Sequence, residues 1–388
     1  MRSPEMDSGT VATEPSLGSR SAPIDPLQAS LNTSRIPALD GMRAIAVFLV
    51  IMYHFSFDWS PASTGVLAFF ILSGFLITWL LLKESDKTGT VSLPGFYKRR
   101  ALRIFPAFYA YCGGCLLLLL ATGHQVSWPD VTSALCYVSN YYQALFHPAD
   151  SFVGHTWSLA IEEQFYLLWP ACFFFGRRNL RRLTWALAGV IGFVWIYRVV
   201  LAFVFHVDQA YIYRAFDTRI DNLMVGCLIA VLVKRGVLQG LWRALTCKVY
   251  LPLLAIALLA LSSHFTLRSF LYRDLVSFAL DPLLVGALMI QLIIFSRTRA
   301  WSWFDAQPLR YLGQTSYSLY LYHPVVGYQV YKRLPNAPIW EQFGIAVVMT
   351  IAVASASYYF VEKPFLRLKD RGLYKRIDLK SIAAAAGD

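Results

Sequence analysis

About ten stretches of predominantly apolar residues divide this chain, at about 40–57, 64–83, 102–121, 156–175, 183–205, 215–233, 249–263, 275–296, 311–331 and 341–361. Some twenty apolar residues wound as a helix cross the ~30 Å hydrocarbon layer of a bilayer. In lipid the backbone must satisfy its own N–H and C=O groups, and a helix does so within one segment. The expected fold class is therefore an all-α integral membrane protein, with about ten transmembrane helices in one bundle. Composition agrees: 57% of the residues are hydrophobic and only 15% charged, against about 25% charged in soluble domains.

An eleventh stretch, 131–146, carries Ser133, Tyr137, Asn140, Tyr141, Tyr142 and Gln143. It is too short and polar to cross, and an interfacial or re-entrant segment is expected. Residues 1–34 are rich in Ser, Pro, Thr and Ala without an apolar core. They read as a disordered cytoplasmic tail rather than a signal peptide. The membrane domain is placed at 35–366 and a basic cytoplasmic tail at 367–388.

Charge sets the expected orientation. With a cytoplasmic N-terminus and ten spans, the inside loops hold the basic runs from Lys83 to Arg103, Arg177 to Arg182, Lys234 to Lys248 and Arg297 to Arg310, followed by the basic tail. The outside loops hold only Arg214, Arg268, Arg273, Lys332 and Arg333, and no Lys or Arg lies between Thr122 and His155. This is the positive-inside pattern, and it puts both termini in the cytoplasm. The net charge of +12 is thereby explained by topology, and no nucleic-acid module is present. The cysteines offer no metal-ligand spacing. Cys112 and Cys115 form a CGGC in an apolar helix, read as structural, where small residues favour close helix contact, against redox chemistry, for which no thioredoxin-like pattern surrounds it.

Ionisable residues inside spans are costly and commonly mark function. In RIPALDGMRAIAVFLVIMYHF, Arg43 and His54 are eleven residues apart, which is about three turns and ~16 Å on one stripe of a helix. Either His54 is a titratable base in the outer half with Arg43 as a fixed cation nearer the cytoplasm, or the two are a hydrogen-bonded core histidine and a snorkelling arginine. In FYKRRALRIFP, Arg99, Arg100 and Arg103 form a cationic cluster. It suits phosphates as a set of guanidinium forks, or serves as a membrane-side anchor. The stretch HTWSLAIEEQFYLLWP places Ser158 and Glu162 on one face and Glu163 about 100° away. A meeting of Glu162 with His54 is expected, the carboxylate holding the imidazole in one tautomer for general-base work. The alternative is a structural polar network.

Three more polar groups lie within spans. In FDTRIDNL, Asp217 and Asp221 flank Arg219, and a neutralised cluster is expected. In SYSLYLYHPVV, Ser316, Tyr320 and His323 share a face, with His323 either a second site histidine or a structural one at the Pro324 kink. Glu362-Lys363-Pro364 reads as a helix stop with a local ion pair. The Ser73-Gly74 step reads as a close-packing site.

Taken in order, LDGMRAIAVFLVIMYH, FFILSGFLIT, FYKRRALRIFP, TWSLAIEEQFYLLWP, FDTRIDNLMVG, SYSLYLYHPVV and FVEKPF resemble the integral membrane acyltransferase type 3 family. That family includes O-acyltransferases of bacterial surface polysaccharides, Nod factors and macrolides, and the resemblance covers about 35–366. Arg43 to His54 matches its R-x10-H motif and Arg100 to Arg103 its RxxR motif. One departure is Leu67-Ala68 before Phe69-Phe70, where the family often has Val-Asp. The chain ends soon after the last span, so the stand-alone form of the family is expected.

The resemblance implies an acyl-CoA-dependent O-acyltransferase of the bacterial inner (plasma) membrane. It would move an acyl group, acetyl being the commonest, to a hydroxyl of a carbohydrate, glycolipid or macrolide at the outer side. His54, Glu162 and Arg43 would be catalytic. Arg99, Arg100 and Arg103 would hold acyl-CoA, a co-substrate, with no metal and no tightly bound cofactor. Asp40, Ser158, Glu163, Arg219, Asp221, Tyr320 and His323 would form a supporting polar network. Arg43 would pair with Asp40, line the donor path or stabilise developing negative charge, the first two being favoured by the ~16 Å of helix between it and His54. A covalent acyl-histidine relay is the variant mechanism. The competing classes are a transporter or flippase of a polysaccharide or lipid precursor and a pseudoenzyme partner in an export complex.

Overall fold

The computed structural model describes residues 26–31, 33, 36–55, 61–148 and 151–368. Every regular element among them is helical, and the chain is an all-α, multi-pass membrane protein. Among the described residues, ten helices of fifteen residues or more stand where the apolar stretches lie: α1 (Pro37–His54), α2 (Ala62–Thr88), α3 (Leu93–Ala121), α4 (Trp157–Gly176), α5 (Leu180–Phe203), α6 (Ile220–Lys234), α7 (Leu251–Arg268), α8 (Phe278–Phe295), α9 (Ser316–Arg333) and α10 (Ile339–Ser357). Seven helices among the described residues are long and apolar enough to cross a membrane, or eight when α6 and Gln239–Leu245, bent by 113°, count as one span. The other two long helices, α4 and α9, are the ones that carry Glu162, Glu163 and His323.

Local signals explain several boundaries. The Ser92 hydroxyl accepts from the Gly95 amide at 3.3 Å and opens α3, and Asn179 opens α5 by accepting from the Arg182 amide at 3.0 Å. Gly89, at φ 70°, closes α2 in the left-handed region that glycine adopts without strain.

Helix α2 is the centre of the bundle, with 78% of its apolar window buried against 22% for α5 and 28% for α7. Its close partner is α6. A Cβ on Gly74 would overlap the Leu223 carbonyl, and one on Gly226 would overlap the Ile71 carbonyl. The two backbones therefore touch only because both positions lack a side chain. Gly113 and Gly114 behave differently, since a Cβ at either would meet nothing within 4 Å. The CGGC glycines thus do not serve the close contact expected of them; the buried side of that turn is made by Cys112 and Cys115. Phe175, Phe193, Ile196, Trp185 and Val348 point outward, as lipid-facing side chains do.

The 131–146 stretch folds as two eight-residue helices, Trp128–Leu135 and Ser139–Phe146, broken at Tyr137 with φ 54°. Each is ~12 Å long, so neither crosses alone. Most of the expected N-terminal tail lies outside the described residues, but Pro26–Leu31 within it is helical, with Leu27 and Leu31 buried. The expected C-terminal tail falls outside the described residues beyond Leu368. No helix stop occurs at Glu362. The chain passes through a π-helical turn at Tyr358–Glu362 and stays helical to Leu368. Glu362 is buried and accepts from Ser318, while Lys363 lies over the Tyr359 ring at 4.6 Å.

Candidate active site

Two cavities meet inside the bundle, and Val66 and Tyr320 line both. The larger, of ≈ 750 Å³, is bordered by His54, His155, Trp157, Arg219, Asn222 and Pro324, among others. The smaller, of ≈ 90 Å³, is bordered by Arg43, Arg100, Arg103, Ser158, Glu162, Glu163 and Tyr166.

His54 is the last residue of α1, and its Nδ1 lies 2.9 Å from the Val50 carbonyl oxygen one turn back. A carbonyl only accepts, so Nδ1 carries the proton and Nε2 keeps its lone pair. The His323 ring packs 4.7 Å from that of His54, inclined at 77°. His323 is fully buried at 0% exposure, and its Nδ1 donates to the Tyr320 carbonyl at 2.7 Å, leaving Nε2 without a partner. His155 is 5.5 Å from His323 and 5.3 Å from the Tyr320 ring. Neither of its ring nitrogens makes a hydrogen bond of good geometry. The Tyr320 hydroxyl donates to the His155 carbonyl at 2.7 Å and shares a 2.6 Å hydrogen bond with Ser158. Three histidines thus cluster beside Tyr320, the residue that borders both cavities.

Glu162 does not join them. Its Oε1 accepts from Ser73 at 2.8 Å, and Ser73 in turn accepts from Tyr166 at 2.9 Å. Glu162 lines the small cavity, whereas His54 lines the large one. The reason is axial offset. His155 stands at the level of His54, and Glu162 is seven residues further on, ~10 Å along a helix. The residue at the histidine level is therefore His155, which sequence reasoning missed. Its signal was present, since 155, 158 and 162 share a helical face at i, i+3 and i+7.

The arginines also divide. Arg100 and Arg103 line the small cavity together with Arg43. Arg100 lies over the Tyr166 ring at 5.0 Å and near Phe96 at 5.7 Å. Arg43 is 3.8 Å from Asp40 one turn before it. Arg99 is elsewhere, bound to Glu84 at 2.9 Å, because consecutive residues on a helix diverge by about 100°.

The expected neutralised cluster at Asp217, Arg219 and Asp221 is not what forms. Asp221 is taken by Arg198, whose two terminal nitrogens reach its oxygens at 3.0 and 2.9 Å, and by Trp195 at 2.9 Å. Asp217 accepts from Tyr141 at 2.9 Å and Tyr197 at 3.0 Å, with Tyr211 at 3.2 Å. Arg219 keeps neither carboxylate. Arg198, 1% exposed in the last third of an apolar span, is the residue that sequence reasoning overlooked; an arginine in that setting was itself the signal. Among the described residues, no group of three or more His, Cys, Asp or Glu is arranged to hold a metal ion.

The family model for an acyltransferase domain matches residues 36–359. YrhL of Bacillus subtilis, provisionally named as a peptidoglycan O-acetyltransferase, is 31% identical over 368 residues, covering 89% of this chain and 57% of that protein. The peptidoglycan O-acetyltransferase OatA of Listeria monocytogenes is 31% identical over 363 residues, 85% of this chain and 55% of its own. A Staphylococcus aureus protein provisionally named as an O-acetyltransferase is 32% identical over 358 residues, 85% and 57% of the two chains. The chain thus spans little more than half the length of these relatives. No solved structure matches it.

Proposed function

The chain belongs to the membrane acyltransferase family, and from that premise we propose that it moves an acetyl group from cytoplasmic acetyl-CoA to a hydroxyl of a cell-surface glycan. The observation that carries this reading is the pair of abutting cavities, with the arginines Arg43, Arg100 and Arg103 on one and His54 on the other. The narrow cavity suits the extended pantetheine arm and its thioester. The larger one has the size of a site for a sugar unit. Relatives named as peptidoglycan O-acetyltransferases support a glycan acceptor, and the asymmetry of Lys and Arg between loops supports a cytoplasmic donor side.

In this mechanism Arg100 and Arg103 attract the donor's phosphates and Arg43 lines the path of its arm. The acceptor hydroxyl enters the large cavity. His54 Nε2 takes the hydroxyl proton as the oxygen attacks the thioester carbonyl, giving a tetrahedral adduct. The adduct collapses by breaking the C–S bond, and the proton on His54 passes to the departing CoA thiolate. Atoms and charge balance, and the imidazole returns to its starting tautomer. The Val50 carbonyl does the orienting that was expected of Glu162. Glu162 instead lies among the arginines, where it limits their mutual repulsion.

The test is transfer of labelled acetyl from acetyl-CoA by the purified chain in lipid vesicles, with glycan fragments supplied on the far side. Label appearing on glycan hydroxyls as alkali-labile ester supports the reading. No donor turnover and no CoA binding would overturn it, and would favour a transporter.

A further inference from the structure

Three arginines gather round one aromatic ring in the large cavity. The guanidinium carbons of Arg219, Arg198 and Arg273 lie 4.5, 4.9 and 5.7 Å from the centroid of Phe278. Two of the three are paired, Arg198 with Asp221 at 2.9 Å and Arg273 with Asp274 at 3.0 Å. Arg219, only 2% exposed, has no carboxylate partner among the described residues, and its Nε and Nη1 make no hydrogen bond. One turn on, Asn222 is 1% exposed with both its amide oxygen and nitrogen unpartnered. Both residues line the large cavity.

A buried guanidinium without a counter-ion is costly, and more so beside two others. Stacking on Tyr213 at 5.2 Å and on Phe278 offsets part of that cost, but it cannot occupy the N–H donors. Two carboxylates, Asp130 and Asp281, also line the cavity. Asp281 already accepts from Ser262 and Ser277, each at 2.6 Å, and forms no ion pair with Arg219. A guanidinium presents parallel N–H groups matched to the oxygens of a carboxylate or phosphate.

We propose that Arg219 and Asn222 form an oxyanion-recognition subsite, so that the acceptor is a saccharide bearing a carboxylate or phosphate rather than a neutral sugar. Arg219 binds two oxygens of that group through its N–H groups, of which Nε and Nη1 have no hydrogen-bond partner among the described residues, and the Asn222 amide binds the adjoining polar atoms. The charge is then satisfied only when acceptor is bound, which makes the subsite a device for specificity. A neutral sugar in the same place leaves the arginine unpaired. The inference rests on reading the large cavity as the acceptor site.

The test is the thermal unfolding midpoint of the full chain in detergent micelles, titrated with methyl β-glucuronide, glucose 1-phosphate or methyl β-glucoside. A saturable rise with the glucuronide or the phosphate, at an apparent affinity roughly tenfold or more above that of the glucoside, is expected. Whichever charged probe binds tighter identifies the group as carboxylate or phosphate. Equal shifts with all three probes, or none, would overturn the proposal. Arg219→Gln should remove the preference for charge, and its persistence there would also overturn it. Should that variant fold poorly, Asn222→Asp decides the matter, since it places an internal carboxylate at i+3 that competes for Arg219 and should abolish the charged-probe shift. The assay needs neither donor nor turnover. Its failure leaves the acetyl-transfer reading standing, and failure of acetyl transfer leaves a positive probe result standing.

Discussion

The imidazole of His54 packs edge-on against that of His323, the ring centroids 4.7 Å apart and the planes at 77°. This contact ties the end of α1 to the middle of α9. Each ring also donates its Nδ1 proton to a carbonyl of its own helix, at 2.9 Å to Val50 and 2.7 Å to Tyr320. Both imidazoles are thereby held in the tautomer with the proton on Nδ1, His54 bordering a cavity and His323 enclosed.

If His54 is the general base, His54→Ala should lower acetyl transfer by about 10²–10⁴-fold while CoA still binds, because the arginines line the other cavity. Rates from vesicles and binding by isothermal titration would measure the two together. Transfer within a few fold of the parent would remove His54 from the chemistry.

Arg99 and Arg100 adjoin in sequence and part in space, so their substitutions should differ. Arg100→Ala with Arg103→Ala should weaken CoA binding by roughly a hundredfold, the loss of two charge-assisted contacts. Arg99→Ala should cost far less, since its partner is Glu84 in an ion pair of partial exposure. A loss in Arg99→Ala equal to that of the double variant would argue against the division of the cluster.

The Arg198–Asp221 pair is buried on both sides, at 1% and 0% side-chain exposure. Asp221→Leu alone strands the guanidinium and should cost ~3–5 kcal/mol, whereas Arg198→Met with Asp221→Leu should cost much less. Thermal unfolding in micelles reads the difference. A double variant less stable than the single would show that the pair itself holds α5 to α6.

Glycines of one kind should respond in opposite ways. Gly74→Ala forces α2 away from the Leu223 carbonyl of α6 and should cost ~1–3 kcal/mol. Gly113→Ala meets nothing within 4 Å and should be neutral or stabilising by up to ~1 kcal/mol. Unfolding midpoints of the two variants, measured side by side, suffice; a stable Gly74→Ala protein would mean that the α2–α6 crossing can relax.

What the sequence determined by itself was whatever repeats locally. Hydropathy runs placed all ten long helices, and the 3.6-residue turn put Arg43 and His54 on one stripe and Arg100 beside Arg103. Composition and motif order were enough to point to the family. What only the tertiary structure decided was which residues of different helices meet. Glu162 was expected at His54 and lies a cavity away, while His155 takes that level. Asp221 was expected to neutralise Arg219 and pairs with Arg198 instead. These outcomes depend on how far each helix is shifted along its axis and turned about it. Such offsets are fixed by backbone approach at Gly74 and Gly226 and by side-chain packing across the bundle. A shift of one turn, ~5.4 Å, leaves the hydropathy of every span unchanged and alters every polar contact between them.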